Sequence, residues 1–289
     1  MRISFAVVDV FATKPLTGNP LALVPDADGL PDDVMRAVAR EFNQSETTFL
    51  LRPTLPGADR RLRSFTPTGE EVGGAGHNAL GAWLWLAESE AAGPGDYTQE
   101  IGGRALPVRV DLAPDGAPLV SMAQAAPRFG RTAGDREALA AALGLVEADL
   151  EGGPAQVVDT GAGHLMVPVR DRAAVDRARP DAGRLIAALR TVEGEGAYVF
   201  SVEEAGDGAT AYARFFNPSM GIWEDPATGT AAGPLAALLV ERELSPAGTL
   251  HIEQGHALRR PSRLAVTVTG AEVTLTGTGL TVAEGTLRV

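Results

Sequence analysis

Apolar and polar positions along this chain fall into short runs, most of them closed by Gly or Pro. Residues 3–11 (ISFAVVDVF) are apolar and β-branched and predict a strand. The turn PLTGNP follows, punctuated by Gly18 and Pro20. Over 31–42 the period changes to that of a helix. Val34, Val38, Ala39 and Phe42 share one face, Pro31 suits the first turn, and Asp32 and Asp33 complement the positive end. ETTFLLR and RLRSFT predict strands joined by TLPGAD. HNALGAWLWLAESE, after Gly76, has the composition of a helix. Residues 97–124 predict two or three strands with turns at Gly102-Gly103 and Pro114-Asp115-Gly116.

The second half follows a similar order. Helices are expected over 135–144 and 181–192, strands near 155–160, 164–169, 197–202 and 210–216. A second apolar helix, TAAGPLAALLVERE, starts near Thr230, and the alternating tail from 263 onward predicts a β-meander. A local pattern also recurs. FTPTGEEVGGAGHNALGAW (65–83) and FNPSMGIWEDPATGTAAGPL (216–235) share Phe-x-Pro-[Thr/Ser], a loop with acids, then Gly opening a helix of small residues. The offset is 151 residues from Phe65 to Phe216 and 153 from Gly76 to Gly229. A repeat at half the chain length predicts duplication into two related halves, not a solenoid, whose periods are much shorter.

Composition removes several kinds of function. With 25 Lys+Arg against 37 Asp+Glu, the net charge is −12, which is unsuited to the polyanionic backbone of nucleic acid. No cysteine is present, so thiolate metal sites, disulfides and thiol nucleophiles or bases are excluded. No apolar run approaches the roughly 20 residues that span a bilayer. The first residues do not read as a secretory signal, and a soluble cytoplasmic protein is expected.

The candidate chemistry lies on the repeated loops. Each delivers a glycine into a helix N-terminus, where free N–H groups and the macrodipole attract anions without help from Lys or Arg. A matched pair of such sites suits a small carboxylate. Gly74-x-Gly76-x-x-Ala79 matches a dinucleotide fingerprint in spacing alone, because TPTGEE before it does not read as a buried strand. His251 and His256 flank Glu253 in HIEQGH, a spacing that lacks the i, i+4 pair of a helical zinc site. His164 reads as a structural histidine. Glu46, at the mouth of the apolar strand in NQSETTFLL, is costly to bury ionised, as a general acid/base requires. Asp225 sits in WEDPATGT, four residues before Gly229, and could equally form an ordinary Asp-Pro turn.

VDVFATKPLTGNPLALV, NQSETTFL, FTPTGEEV with AGHNALGAW, EDPATGTAAGPLAALL and IEQG with RPS together resemble the phenazine-biosynthesis F (PhzF-like) family, in order, from about residue 5 to at least 262. The resemblance implies a diaminopimelate-epimerase-like α+β fold: two pseudo-symmetric halves, each a curved, mostly antiparallel sheet wrapped around a central helix. It implies domains of 1–120, completed by the strand at 278–289, and 121–277, with the active site in the cleft between them. It implies a homodimer, no cofactor and no metal. The implied reaction moves a proton between carbons of a small, cyclic or unsaturated carboxylic acid; the type reaction isomerises trans-2,3-dihydro-3-hydroxyanthranilate. The implied catalytic residues are Glu46, His77 and Asp225, and the implied substrate-binding residues are Ser45, Gly76, Asn78, Gly229 and Thr230. The chain departs from the family pattern at Gly73-Gly74, Asn78-Ala79, Thr230 and Arg259, and the first and third of these reshape the pocket. Sister racemases of this fold use two opposed cysteines, which the composition excludes. A non-catalytic ligand- or protein-binding member of the same family, or a lyase or hydrolase started by the same base, are the alternative readings.

Overall fold

The computed structural model describes residues 1–203, 205–206 and 208–289. The chain divides into two compact units, Met1–Ala123 with Thr276–Val289, and Gln124–Leu275.

The first unit opens with β1 (Arg2–Val10) and β2 (Asn19–Val24), then α1 (Asp32–Phe42), β3 (Thr47–Leu51), β4 (Arg60–Phe65) and the two-residue β5 (Glu71–Val72). α2 (His77–Glu88) follows, then β6 (Gly95–Ile101), β7 (Arg104–Leu112) and β8 (Pro118–Gln124). The second unit carries β9 (Arg128–Thr132), α3 (Arg136–Ala142), β10 (Gln156–Asp159), β11 (Gly163–Pro168), α4 (Arg172–Arg177) and α5 (Ala182–Val192). It continues with β12 (Ala197–Ser201), β13 (Ala211–Asn217), β14 (Ile222–Asp225), α6 (Gly229–Glu241), β15 (Gly248–Gln254) and β16 (Ser262–Thr269). β17 (Glu272–Gly277) leads into β18 (Gly279–Arg288), which returns to the first unit and lies antiparallel to β1 along nine residues. The tail is therefore not one local meander, as its alternation suggested. Its last strand completes the sheet in which the chain began.

Strand pairing reveals the duplication more fully than sequence does. In unit 1, β1–β2 are antiparallel, β2–β3 parallel, β3–β4 and β4–β5 antiparallel, β4–β6 parallel and β6–β7 antiparallel. In unit 2, β10–β11, β11–β12, β12–β13, β13–β14, β13–β15 and β15–β16 repeat that series step for step. Each parallel step is crossed by a helix, and α2 and α6 occupy the equivalent crossover. The register then assigns equivalents. Thr47 and Ala197 correspond, since each faces the repeated Phe, Phe65 or Phe216. Their parallel neighbours Ala22 and Leu165 correspond in turn.

α2 packs on β18, β1, β2, β3 and also β7. Laid flat, the sheet from β18 to β7 would span ~29 Å at about 4.8 Å per strand, far wider than a helix. It must curl around α2 to touch it at both ends. α6 is held the same way by β10, β11 and β16. Such a helix is apolar on nearly all sides, and in α2 nine of twelve residues are buried. Leu21 of β2 faces Gly81 of α2, while Val24, on the other face, joins Met35, Val38 and Ala39 of α1. The helices α3, α4 and α5 cover the corresponding face in unit 2 through Leu139, Val175, Leu185 and Leu189. No helix is long and apolar enough to cross a membrane.

Candidate active site

Unit 1 brings five of the expected site residues together at the first turn of α2. Ser45 and Glu46 occupy the turn into β3, which lies beside that helix. Gly76 is the N-cap, with no side-chain cap, and His77 and Asn78 are the first helical residues. The Glu46 Oε2 lies 3.9 Å from His77 Nδ1, and Ser45 Oγ lies 3.5 Å from both His77 Nε2 and Asn19 Oδ1. His77 is 8% exposed, and burial lowers its pKa to about 4. The imidazole is therefore neutral at pH 7, and its approach to Glu46 is not an ion pair. The Glu46 side chain keeps 19% of its surface accessible. A partly open carboxylate beside a neutral imidazole is equipped to take up and return a proton.

Asn78 is committed to the protein. Its Oδ1 accepts from the Gly76 N–H at 2.7 Å, and its Nδ2 donates to Gly74 O at 3.1 Å and to Ser64 Oγ at 3.0 Å. It ties the Gly74–Gly76 loop to β4, and so shapes the turn on which His77 stands.

Unit 2 places Asp225 at the end of β14 and Gly229 and Thr230 at the start of α6. Asp225 is 6% exposed and accepts a 2.5 Å hydrogen bond from the Thr228 hydroxyl. Thr228 is the N-cap of α6, but that bond draws its hydroxyl away from the helix, which has no side-chain cap. By contrast α3, α4 and α5 are each capped by an aspartate, Asp135, Asp171 and Asp181. Gly229 and Thr230 are the first two residues of α6, whose N–H groups find no partner within a helix. Its first turn is held by the Thr228 carbonyl, which accepts from Ala231 and Ala232. Thr230 Oγ1 lies 3.2 Å from His164 Nε2.

Two supporting arrangements have no counterpart in the sequence pattern read above. The first is a buried amide at Gln254. Its Oε1 accepts from the Tyr198 hydroxyl at 2.8 Å and the Thr228 N–H at 3.1 Å; its Nε2 donates to Asp225 O and Thr228 Oγ1. Gln254 thus fixes the whole Asp225–Thr228 turn. Burial, and then the Asp225 charge, raise the Tyr198 pKa well above its usual value, so that hydroxyl stays a donor. The second is an arginine clamp repeated in both units. Arg214 binds Glu224 through two bonds of 2.8 and 2.7 Å and stacks 4.9 Å from the Phe216 ring. Arg63 binds Glu71 through two bonds of 2.7 Å and stacks 5.0 Å from Phe65. The clamp fastens β5 to β4 and β14 to β13, and with β14 it fastens Asp225. A signal for it was present: an Arg stands two residues before each repeated Phe.

Among the described residues no three His, Asp or Glu side chains are grouped to hold a metal ion. Glu253 instead faces Arg172 and His256, each at 3.6 Å. Gly74-x-Gly76-x-x-Ala79 follows β5, an antiparallel strand, so its setting differs from a dinucleotide crossover.

Curved sheets wrapped around uncapped central helices, one in each unit, characterise the epimerase-like class of α+β folds. The family model for phenazine biosynthesis-like proteins matches residues 8–285. The chain is 35% identical over 287 residues to the trans-2,3-dihydro-3-hydroxyanthranilate isomerase of Pseudomonas aeruginosa, covering 97% of this chain and 98% of the relative. A Bacillus anthracis phenazine biosynthesis protein of the PhzF family superposes with a TM-score of 0.92 at 29% identity over the whole of both chains. A predicted epimerase from Pseudomonas aeruginosa does so with a TM-score of 0.86 at 36% identity over 99% of each. This chain belongs to the phenazine biosynthesis-like (PhzF) family and is an isomerase.

Proposed function

We propose that the protein moves a proton between two carbons of a small, conjugated carboxylic acid, with Glu46 as the shuttle and no cofactor. One observation carries this reading: the Glu46 carboxylate and the buried, neutral His77 meet at 3.9 Å on the first turn of α2. Glu46 takes the proton from a C–H bond, the electron pair shifts the conjugated double bond, and the same carboxyl returns the proton to another carbon. Nothing is oxidised, and one base on one face suffices, so a chain without cysteine can do it. His77 hydrogen-bonds the oxygen on which charge develops, and its neutrality makes it a donor matched to a transient enolate. In the other unit, the Gly229 and Thr230 N–H groups and the Thr230 hydroxyl at the start of α6 offer donors to a carboxylate, and Asp225 stands at the end of β14 as a further hydrogen-bonding group. The acid named for the Pseudomonas aeruginosa relative is the first candidate substrate, followed by other cyclic and unsaturated acids.

The test is solvent-deuterium incorporation by NMR across such a panel. The wild type should incorporate deuterium at carbon with one or more acids. Glu46→Gln, which keeps the shape but cannot take up a proton, should lose the exchange by about 10²–10⁴-fold and keep its ligand affinity. Wild-type exchange in Glu46→Gln would remove Glu46 from the mechanism.

A further inference from the structure

The register places His164 where unit 1 has Leu21, one residue before the equivalent pair Leu165 and Ala22. Both units therefore carry an imidazole against a hydroxyl at the start of the central helix, with the roles exchanged. In unit 1 the helix supplies the imidazole, His77, and the turn into β3 the hydroxyl, Ser45, at 3.5 Å. In unit 2 the helix supplies the hydroxyl, Thr230, and β11 the imidazole, His164, at 3.2 Å. The position equivalent to Glu46 in unit 2 is Gly196. A Cβ there would stand 2.5 Å from the Phe215 ring. The missing side chain admits that ring, which packs edge-on against His164 with centroids 4.9 Å apart.

We infer that His164 is a positioning residue: it donates its Nε2–H to Thr230 Oγ1 and so turns the Thr230 hydroxyl into a hydrogen-bond donor for an anionic ligand at the α6 turn. His164 is 3% exposed, and its Nδ1 has no hydrogen-bond partner. The nearby Asp159 carboxylate is engaged by the Gly161 N–H and Arg128. A buried N–H without an acceptor is a rarer omission than a lone pair without a donor, which assigns the bare nitrogen to Nδ1 and the proton to Nε2. Thr230 then receives a hydrogen bond from behind, and its own O–H is released to point elsewhere. It joins the Gly229 and Thr230 N–H groups of α6 as a third donor, favouring carboxylate or sulfate over cationic groups. Burial holds His164 near a pKa of about 4, opposed by the Asp159 charge, so the arrangement persists at neutral pH.

The inference rests on the anion-binding role proposed for the α6 turn, and the experiment separates the two. Ring ¹⁵N–¹H correlation on the wild type reads the tautomer with no ligand and no substitution: the Nε2–H form is expected, and the Nδ1–H form would overturn the inference. Benzoate and inorganic sulfate are the binding probes. His164→Leu should weaken them roughly tenfold, as for a lost hydrogen bond to a charged group. His164→Gln, which restores a donor near the Nε2 position, should recover most of that loss. In a Thr230→Val background, His164→Leu should change affinity by less than about twofold, because the hydroxyl through which it acts is gone. A full tenfold effect in that background would make His164 merely structural and would overturn the inference. Failure of the wild type to bind either anion would overturn the α6 reading instead, and the tautomer would still test His164 by itself.

Discussion

At the scale of single residues, two buried imidazoles set a measurable dependence on pH. His77 and His164 titrate near 4 when folded and near 6.5 when unfolded. Between those values the unfolded chain binds more protons, so stability falls as pH drops from about 6.5 to 4 and does not return below that window. Each imidazole contributes on the order of 3 kcal/mol over the whole interval. Urea unfolding at pH 7 and at pH 4.5 should show this loss, and His164→Leu should remove about half of the part that His77 and His164 carry. An unchanged pH dependence in that variant would mean that folding does not lower the His164 pKa. The same residue scale explains why Glu46 was legible and Gln254 was not. A carboxylate entering an apolar strand is anomalous in the sequence itself. A glutamine that ends an amphipathic strand is ordinary until its amide is seen joining Tyr198, Thr228 and Asp225.

At the scale of elements, the central helices depend on small residues where the sheet closes in. A Cβ on Gly81 would meet Leu21 Cδ2 and Val10 Cγ2, both at 2.7 Å. Alanine normally improves a helix by about 1 kcal/mol over glycine. Here the overpacking of β1 and β2 costs about 1–3 kcal/mol and outweighs it. Gly81→Ala is therefore expected to lower the thermal unfolding midpoint by several degrees, and a variant more stable than wild type would refute the close packing of α2 on β2. In α6, Gly233 leaves room for the Gln124 amide, which donates to the Gly229 carbonyl at 2.9 Å and accepts from Thr160 at 2.7 Å. Gly233 thus admits the amide that holds the first turn of α6. The sequence located α1 by its period, α2 by composition, and α3, α5 and α6 as well, each to within two residues at either end. It missed α4, whose six residues are too few for a period and whose start is marked only by the cap Asp171.

At the scale of the molecule, the last strand matters most. β18 supplies the second neighbour of β1, and the Phe11 N–H bonds the Thr278 carbonyl just before it. Deleting residues 279–289 would leave β1 paired with β2 alone and uncover the face of α2 that β18 packs against. Hydrogen exchange should then accelerate at the amides of β1 and β2, while those of β10–β13 in the other unit stay protected. Equal protection of β1 before and after deletion would mean that the strand adds little to unit 1.

By itself the sequence determined the class of fold, the duplication and most of the elements, because hydrophobic period, turn residues and a repeated motif are local signals. It also nominated Glu46, His77, Asp225 and the two helix-opening glycines as candidates, through the repeat and the family resemblance they carry. Tertiary structure decided what those residues touch. Only the strand register equates His164 with Leu21 and Gly196 with Glu46, since parallel pairing joins segments that share no local pattern. Only burial decides that both imidazoles are neutral, because a desolvation cost belongs to the surroundings of a group and not to its position in the chain.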